Sequence, residues 1–352
     1  MKTKTLKTIS LIFAIVFIFS SSSFGVFATN QPASFQTEVN LYIENHANSI
    51  SNNGEKYHII NSHVLKSFTS GKNYVLYNLS PVGYAIYDEI SGVIEEMMLG
   101  VNSPYSPSQK GTWYYGGPTN YIIEKDNKFI SLTDNQELSN SYINDLVAIE
   151  QSTVSSRKTA RAIPTDTRYH YMESSSYFTS MLGEDFGNNV NGTCTQVACA
   201  IMLGYYDHYV NTQFVPSAYE HGVGTTDAFH LYLQNFMGSA PSGLINAANG
   251  LNAYFNAIYF TAPTAQYVIG NHNAVFSRVA TNVRNNRPTV ISMFTSYNSN
   301  CPMNHSVVAY GYREEVTLQM MTSASYYVHT GWHNPKTGTY AWDWFADALY
   351  IA

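Results

Sequence analysis

The amino-acid sequence predicts an α+β protein in which helical and strand segments are grouped along the chain. Strand-like apolar runs separated by turn residues dominate the first half, an apolar helix follows near the middle, and three further strand-like runs lie near the end. This grouping differs from the regular alternation that produces parallel βαβ units. Aromatic residues make up 14% of the chain and charged residues only 12%, which favours a folded protein over a disordered one.

The N-terminus has the pattern of a secretory signal peptide, which we assign to residues 1–28. Three lysines within the first seven residues precede the apolar run Ile9–Phe19, which is too short to span a bilayer as a stable helix. Small residues precede the predicted cleavage after Ala28. We therefore expect a secreted, extracellular protein without stable membrane insertion. The net charge of −6, with no basic patch, argues against nucleic acid as a partner.

Residues 29–150 are expected to form a strand-rich N-terminal domain. The run NYVLYNLSPVGYAIYDEISGVIEEMML predicts a hairpin or meander, because apolar β-rich stretches alternate with turn residues. The later run TWYYGGPTNYII adds a turn and a further short strand.

Residues 151–168 are polar and contain a basic cluster formed by Arg157, Lys158 and Arg161. So few apolar residues predict an exposed linker, which is a favourable place for proteolysis. Two interpretations are open at this point. The segment is either an ordinary linker between domains or a processing site that separates a propeptide from a mature enzyme.

Residues 169–352 are expected to form the second domain. It opens with a buried helix from about Thr195 to Tyr209, in which apolar residues recur at every fourth position. A loop-rich middle is expected to follow, to about residue 270. The apolar spacing in AVFSRVATNVRNN then predicts a second helix, and TVISMF, HSVVAYGY and SYYVHTGW predict three strands rich in Val, Ile and Tyr.

Two of the three cysteines lie on the apolar helix, and the helix boundary distinguishes them. Cys194 follows a turn-rich loop, so we place it at the helix N-terminus, where unpaired N–H groups and the helix dipole favour an anion. Its thiol is expected to have a lowered pKa and to be reactive, whereas burial should raise the pKa of Cys199 and make it inert. Cys194 is therefore the predicted nucleophile. Cys301 is expected to be incidental, with a redox role as the alternative.

A cysteine nucleophile usually needs a base, and His305 is the candidate. It begins the strand-like run HSVVAYGY directly after a loop, so its ring can face an open site while the following residues pack. The alternative is a histidine at the edge of a strand without a catalytic role.

Together these segments resemble the papain-like superfamily of cysteine peptidases, in particular the streptopain-like and C39-like bacterial peptidases. The helix that begins at Cys194 carries the pair Tyr205-Tyr206 at the matching separation, and His305 opens a strand with a Gly-Tyr, preceded by NNRPTVISM. YYVHTGWHNPKTGTYAWDWF is similar to the C-terminal turn of the family, with Trp332 as the shielding aromatic, and YNLSPVGYAIYDEISGVI resembles a streptopain-like propeptide. The resemblance implies a papain-like fold, in which the helix with the cysteine packs on an antiparallel sheet or half-barrel, preceded by a strand-rich propeptide domain.

The oxyanion hole is the first place where the chain departs from the family pattern. The resemblance places its side chain at position 188, where Asn188 stands instead of the usual Gln. Asn can donate the same N–H bond from a shorter arm, together with the backbone N–H of Cys194. Asn189, Asn191 and Gln196 are alternatives.

The third catalytic position, which orients the histidine ring, is the second departure. Counting back from the aromatic residue of the turn places Thr330 where the family has Asn, while the following HNP offers Asn334. Either side chain could accept the ring N–H and fix the tautomer, and Asn334 is preferred because it has a carbonyl acceptor.

The resemblance implies a secreted cysteine endopeptidase, made as a zymogen, that acts through a Cys194–His305 pair and a thioester acyl-enzyme. Its substrate would be a protein or peptide, and its own propeptide would be an inhibitor. No cofactor or metal is expected, since the sequence contains neither H-E-x-x-H nor paired C-x-x-C motifs. Two alternatives are an acyl transferase or amidase on the same catalytic site, and a catalytically inactive surface-binding protein on a peptidase scaffold.

Overall fold

A computed structural model describes residues 33–51, 54–69, 73–156, 166–189, 192–239, 243–259, 262–293, 305–317 and 320–352. Contacts divide the chain into two units, Met1–Tyr42 and Ile43–Ala352, and the boundary falls inside the first helix. Every contact discussed below belongs to the second unit.

The helices of the described residues are α1 (Ala33–Ile50), α2 (Asn140–Ser156), α3 (Ser176–Ser180), α4 (Cys194–Tyr209), α5 (Asp227–Met237), α6 (Leu244–Ile258) and α7 (His272–Arg284). The strands are β1 (His58–Lys66), β2 (Asn73–Ser80), β3 (Gly83–Asp88), β4 (Val93–Leu99), β5 (Thr112–Tyr115), β6 (Tyr121–Lys125), β7 (Lys128–Ser131), β8 (Asp166–Tyr171), β9 (Glu220–His221), β10 (Gly224–Thr225), β11 (Ala265–Val268), β12 (Thr289–Met293), β13 (Ser306–Thr317), β14 (Met320–His329), β15 (Thr337–Ala341) and β16 (Phe345–Ile351).

Fourteen of these strands form one mixed sheet. Their order is β11-β16-β12-β13-β14-β15-β4-β3-β2-β1-β5-β6-β7, and β8 pairs with β13 beside this path. The pairing of β1 with β5 is parallel, whereas the strands around the predicted site pair in antiparallel fashion. Helices and a large sheet built mainly from sequence-adjacent strands confirm the predicted α+β class.

The predicted meander in the first half of the chain is present as β2, β3 and β4. Its last strand continues into the sheet of the second half, because β4 pairs with β15 and places Glu96 opposite Tyr340 and Met97 opposite Thr339. The strand-rich N-terminal part and the C-terminal part therefore share one hydrogen-bonded sheet.

The helix that begins at Cys194 is the centre of the core. As predicted, it ends at Tyr209, and all its side chains from Cys194 to Asp207 are buried. It packs against β12 and β13 on the sheet and against α5 and α6. The Tyr205 hydroxyl donates to the Asn286 carbonyl oxygen at 2.9 Å, which fixes the C-terminal end of the helix.

The structure corrects one expectation about the middle of the second half. Residues 212 to 270 were expected to be loop-rich, but α5 and α6 occupy much of this stretch. The later helix and three strands are confirmed as α7, β12, β13 and β14.

The predicted linker 151–168 is bounded by regular structure. Helix α2 extends to Ser156 and β8 begins at Asp166, which the polar composition of the segment did not indicate. Residues 157–165, with the three basic side chains, lie outside the described residues, as does the predicted signal peptide 1–28. Within the described residues, no helix is both long and apolar enough to cross a lipid bilayer.

Candidate active site

Cys194 is the first residue of α4 and lies against the start of β13. Its thiol is hydrogen-bonded to the backbone and the hydroxyl of Ser306 and to Thr195, and only 3% of the residue is exposed. Ser306 directly follows His305 in the chain. The structure therefore brings the predicted nucleophile beside the segment that carries the predicted base.

A short series of hydroxyl groups fixes this junction. The hydroxyl oxygens of Thr195 and Ser306 are 3.0 Å apart, and those of Ser306 and Ser292 are 2.9 Å apart. Ser292 and Ser306 are also register partners at the adjoining ends of β12 and β13. Each hydroxyl is buried, so these hydrogen bonds tie the first turn of the helix to two strands of the sheet.

His305 lies immediately before β13, under the indole of Trp332. The two rings stack with centroids 4.2 Å apart and planes inclined by 11°, and His305 is 3% exposed. The imidazole is hydrogen-bonded to the backbone of Thr330, while its Nε2 is buried without a hydrogen-bond partner in the described part of the chain. The ring is thus held by one polar contact and one aromatic face, and one nitrogen remains available.

Burial controls the charge of both groups. It raises the pKa of the Cys194 thiol, and the hydrogen bonds from Ser306 and Thr195, which favour the thiolate, are the smaller effect. Burial likewise lowers the pKa of His305 to about 3, against the smaller effect of the Thr330 backbone. Both groups are therefore neutral at pH 7 in this arrangement. The expectation of a lowered Cys194 pKa is wrong here, because loss of solvent outweighs the helix N-terminus.

Cys199 lies one turn further along α4, in the core. It is fully buried, and burial raises the pKa of its thiol, followed by a smaller repulsion from Cys194. The expectation of a raised pKa for this thiol is confirmed. Cys301 lies outside the described residues.

The turn after β14 contains both predicted orienting residues. The Thr330 hydroxyl donates to the Pro335 carbonyl, lies 3.2 Å from the Lys336 carbonyl and accepts from the Trp332 N–H at 3.2 Å. This hydroxyl is thus used inside the turn, and the backbone of Thr330 is what reaches His305. Asn334 is joined to Pro335 by a cis peptide bond. Its side chain is exposed and makes no hydrogen bond to the described residues.

Asn188 lies on a loop that runs beside this turn. Its Oδ1 accepts from the His333 N–H at 3.4 Å, and the next N–H, of Asn189, donates to the Gly331 carbonyl at 3.1 Å. With the oxygen held in this way, the Nδ2 group of Asn188 has no acceptor in the described residues. It is therefore a suitable donor for an external oxyanion.

The alternatives to Asn188 are placed less favourably. Gln196 is fully buried, and its Nε2 donates to the Gly238 carbonyl at 3.2 Å at the end of α5. Asn189 contributes its backbone to the loop rather than its side chain. Asn191 lies outside the described residues.

Two glycines allow close approach between these loops and the helices: Gly331 brings the turn after β14 against α4, and Gly187 brings the Asn188 loop against α5. Gly331 has φ of 78°, a conformation that favours glycine, and a Cβ there would lie 3.3 Å from Val197 of α4. A Cβ on Gly187 would lie 2.0 Å from Nδ1 of His230, a buried histidine of α5. Any larger residue at position 187 would displace either the His230 ring or the loop that carries Asn188.

Sequence reasoning missed several residues that support the site. The Phe186 carbonyl accepts from His333 Nε2 at 3.3 Å, and the His329 ring packs edge-on against Phe186 with centroids 4.6 Å apart. Ser306 could have been found from its place beside His305. Nothing in the local sequence marks Phe186 or His230, since only the tertiary fold brings them to the loop.

No group of three or more His, Cys, Asp or Glu side chains in the described residues is placed to hold a metal ion. A scan against protein-family models and a search of curated proteins gave no match to this chain.

Proposed function

We propose that this chain is a secreted cysteine endopeptidase of the papain-like type, made as a zymogen. The observation that supports the proposal most strongly is the hydrogen bonding of Cys194, at the first position of a buried helix, to the residue that follows His305. A nucleophile and a base on two rigid elements, with a third group fixing the base, form the arrangement that cysteine hydrolases need.

The proposed reaction begins when the Cys194 thiol transfers its proton to His305. The thiolate attacks the carbonyl carbon of a peptide bond, and the oxyanion binds the backbone N–H of Cys194 and the Nδ2 group of Asn188. The imidazolium then protonates the leaving amine, which produces a thioester. Water gives a proton to His305 and attacks the thioester, and His305 returns this proton to the departing thiolate.

The neutral charge state of the pair supports a latent form. Proton transfer from the thiol to the imidazole creates two charges. The free-energy cost of this charge separation is largest where water is excluded. Exposure to water would lower the Cys194 pKa and raise that of His305 towards their ordinary values, so both shifts favour the reactive pair. Activation would then consist of opening the site, and no change of the catalytic residues is needed.

The N-terminal part of the chain is the proposed inhibitory segment. It is attached to the C-terminal part through the β4–β15 pairing and through the Trp344 indole N–H, which donates to Glu95 at 2.8 Å. Glu96, beside it, accepts from Tyr84 at 2.7 Å. Cleavage of the predicted linker would sever the chain, and separation of the segment would require the β4–β15 pairing and the Trp344–Glu95 hydrogen bond to break.

The Thr330 backbone is the proposed orienting group for His305 in this latent form. The exposed Asn334 side chain could take over only if the turn rearranges when the site opens.

The proposal is tested by expressing the full chain as wild type, Cys194→Ser and Cys199→Ser. We expect the wild type and Cys199→Ser to hydrolyse casein and to be secreted as a shorter species cut within residues 151–168. Cys194→Ser should be inactive and remain unprocessed. Casein hydrolysis by Cys194→Ser would overturn the assignment, and transfer of the acyl group to an added amine in place of hydrolysis would favour the transferase.

A further inference from the structure

The β13–β15 region also borders a cavity whose lining differs from the catalytic pair. A cavity of about 470 Å³ is lined by residues from the end of α1, β4, β8, α3, β13, β14 and β15. Neither Cys194 nor His305 lines it. Its volume lies within the range of small-molecule sites, which is about 300–1,000 Å³.

Four tyrosines form much of its wall. Tyr57, Tyr310 and Tyr327 are buried, whereas Tyr171 is 40% exposed and stacks on Tyr327 with ring centroids 4.7 Å apart. The stack holds the Tyr171 ring in a fixed orientation although that residue lies at an exposed strand end. Aromatic rings carry negative charge on their faces and attract cations.

The charge of the wall has a single sign. Glu55, which is exposed, contributes a carboxylate that accepts a hydrogen bond from the Tyr57 hydroxyl at 3.1 Å, and no Lys, Arg or His is among the described lining residues. Thr339 also lies in the wall, and only 1% of the residue is exposed.

We propose that this cavity binds a small organic cation, either a quaternary ammonium group or the side-chain ammonium of a lysine in a peptide. The tyrosine rings and the Glu55 carboxylate would attract the positive charge. An anion is disfavoured by the same groups. None of the cavity's residues takes part in the proposed reaction, but its wall combines residues from both sides of the predicted linker, so the complete site exists only in the unprocessed chain.

The test uses the full chain with Cys194→Ala, which prevents any cleavage by its own site. Isothermal titration calorimetry compares choline, Nα-acetyl-lysine methylamide, the neutral choline isostere 3,3-dimethylbutan-1-ol, and acetate. At least one cation should bind about 10-fold or more tightly than the neutral isostere, and acetate should not bind. The tighter of the two cations identifies the source of the ammonium group.

Three variants tie binding to the named residues. Glu55→Gln should weaken the preferred cation by about 5-fold and Tyr171→Leu by about 10-fold, while Tyr171→Phe, which keeps the ring, should stay within about 2-fold. Unchanged thermal unfolding midpoints establish that the variants are folded. Absence of heat for both cations up to about 20 mM, or equal binding of choline and its neutral isostere, would overturn the proposal. Equal weakening by Tyr171→Leu and Tyr171→Phe would do the same.

Discussion

The first turn and the middle of helix α4 each hold a buried cysteine, yet their surroundings differ. Cys194 is hydrogen-bonded to Ser306 and Thr195, whereas Cys199 lies among apolar core residues. Burial raises the pKa of both thiols. Burial alone therefore does not distinguish a nucleophile from a core residue, and the polar contacts at the first turn do.

This difference also determines how each thiol responds to water. If the site opens, the burial effect on Cys194 decreases, while the hydrogen bonds that favour its thiolate remain. Cys199 has no comparable contacts to retain and would become reactive only on unfolding. We therefore expect the Cys194 thiol to be latent, becoming reactive when the site opens, and the Cys199 thiol to stay inert in the folded protein.

Removal of the predicted base should have the largest effect, because Cys194 at the first turn can act as a nucleophile only if His305 accepts its proton. His305→Ala should lower kcat/KM on a peptide substrate by about 10³-fold, measured on the processed enzyme. His329→Gln is the matched control, since burial also lowers the pKa of His329 to about 3 but its Nδ1 accepts from the Gly331 N–H. It should reduce stability more than kcat/KM. If both variants fold and lose the same factor in kcat/KM, His305 is not the catalytic base.

The oxyanion donor should have the next largest effect. Asn188→Ala should lower kcat by about 10²-fold with little change in KM, because the Nδ2 contact forms only as the oxyanion develops. Asn189→Ala, which keeps the backbone bond to Gly331, should stay within about 3-fold. If steady-state kinetics show a loss in KM rather than in kcat, Asn188 binds substrate and does not stabilise the transition state.

The hydroxyl contact at the first turn should have the smallest effect. Ser306→Ala removes a hydrogen bond that favours the thiolate, so the Cys194 pKa should rise further and the alkylation rate at pH 7 should fall by about 10-fold. Ser292→Ala removes the neighbouring hydroxyl and leaves the contact of Ser306 with the thiol, so its rate should fall by less than about 3-fold. If the alkylation rate of Cys194 is unchanged in Ser306→Ala, the hydroxyl contact does not distinguish Cys194 from Cys199.

Local patterns in the sequence were sufficient for α4, α7 and the strands around the site. Each has apolar residues at the spacing of one element, and each packs directly on the core. Helix α6 was missed because it is rich in Asn and Ala and contains Gly250, whereas α5 has apolar residues at helical spacing, Phe229, Leu233 and Met237, that the sequence analysis did not use. That glycine is explained only by packing, since a Cβ there would lie 2.6 Å from the Cα of Met237 in α5.

Helix α2 was missed for a related reason. Its last turns, QSTVSS, are polar, and the carboxylate of Glu150 is buried and accepts from the hydroxyls of Ser67 at 2.6 Å and Tyr74 at 2.8 Å. These partners are more than 70 residues away in the chain, so no local pattern indicates them. The same limit applies to the active site, where position on the helix could be predicted but the exclusion of water from Cys194 could not.

The most direct test of the account is the pH dependence of alkylation at each cysteine, followed by mass spectrometry with and without processing. In the unprocessed chain, both thiols should react more slowly at pH 7 than free cysteine, because burial raises both pKa values. After processing, Cys194 should become reactive at neutral pH while Cys199 stays protected until the protein unfolds. Protection of both thiols in the processed protein, or faster labelling of Cys199, would contradict the assignment of Cys194 as the latent nucleophile.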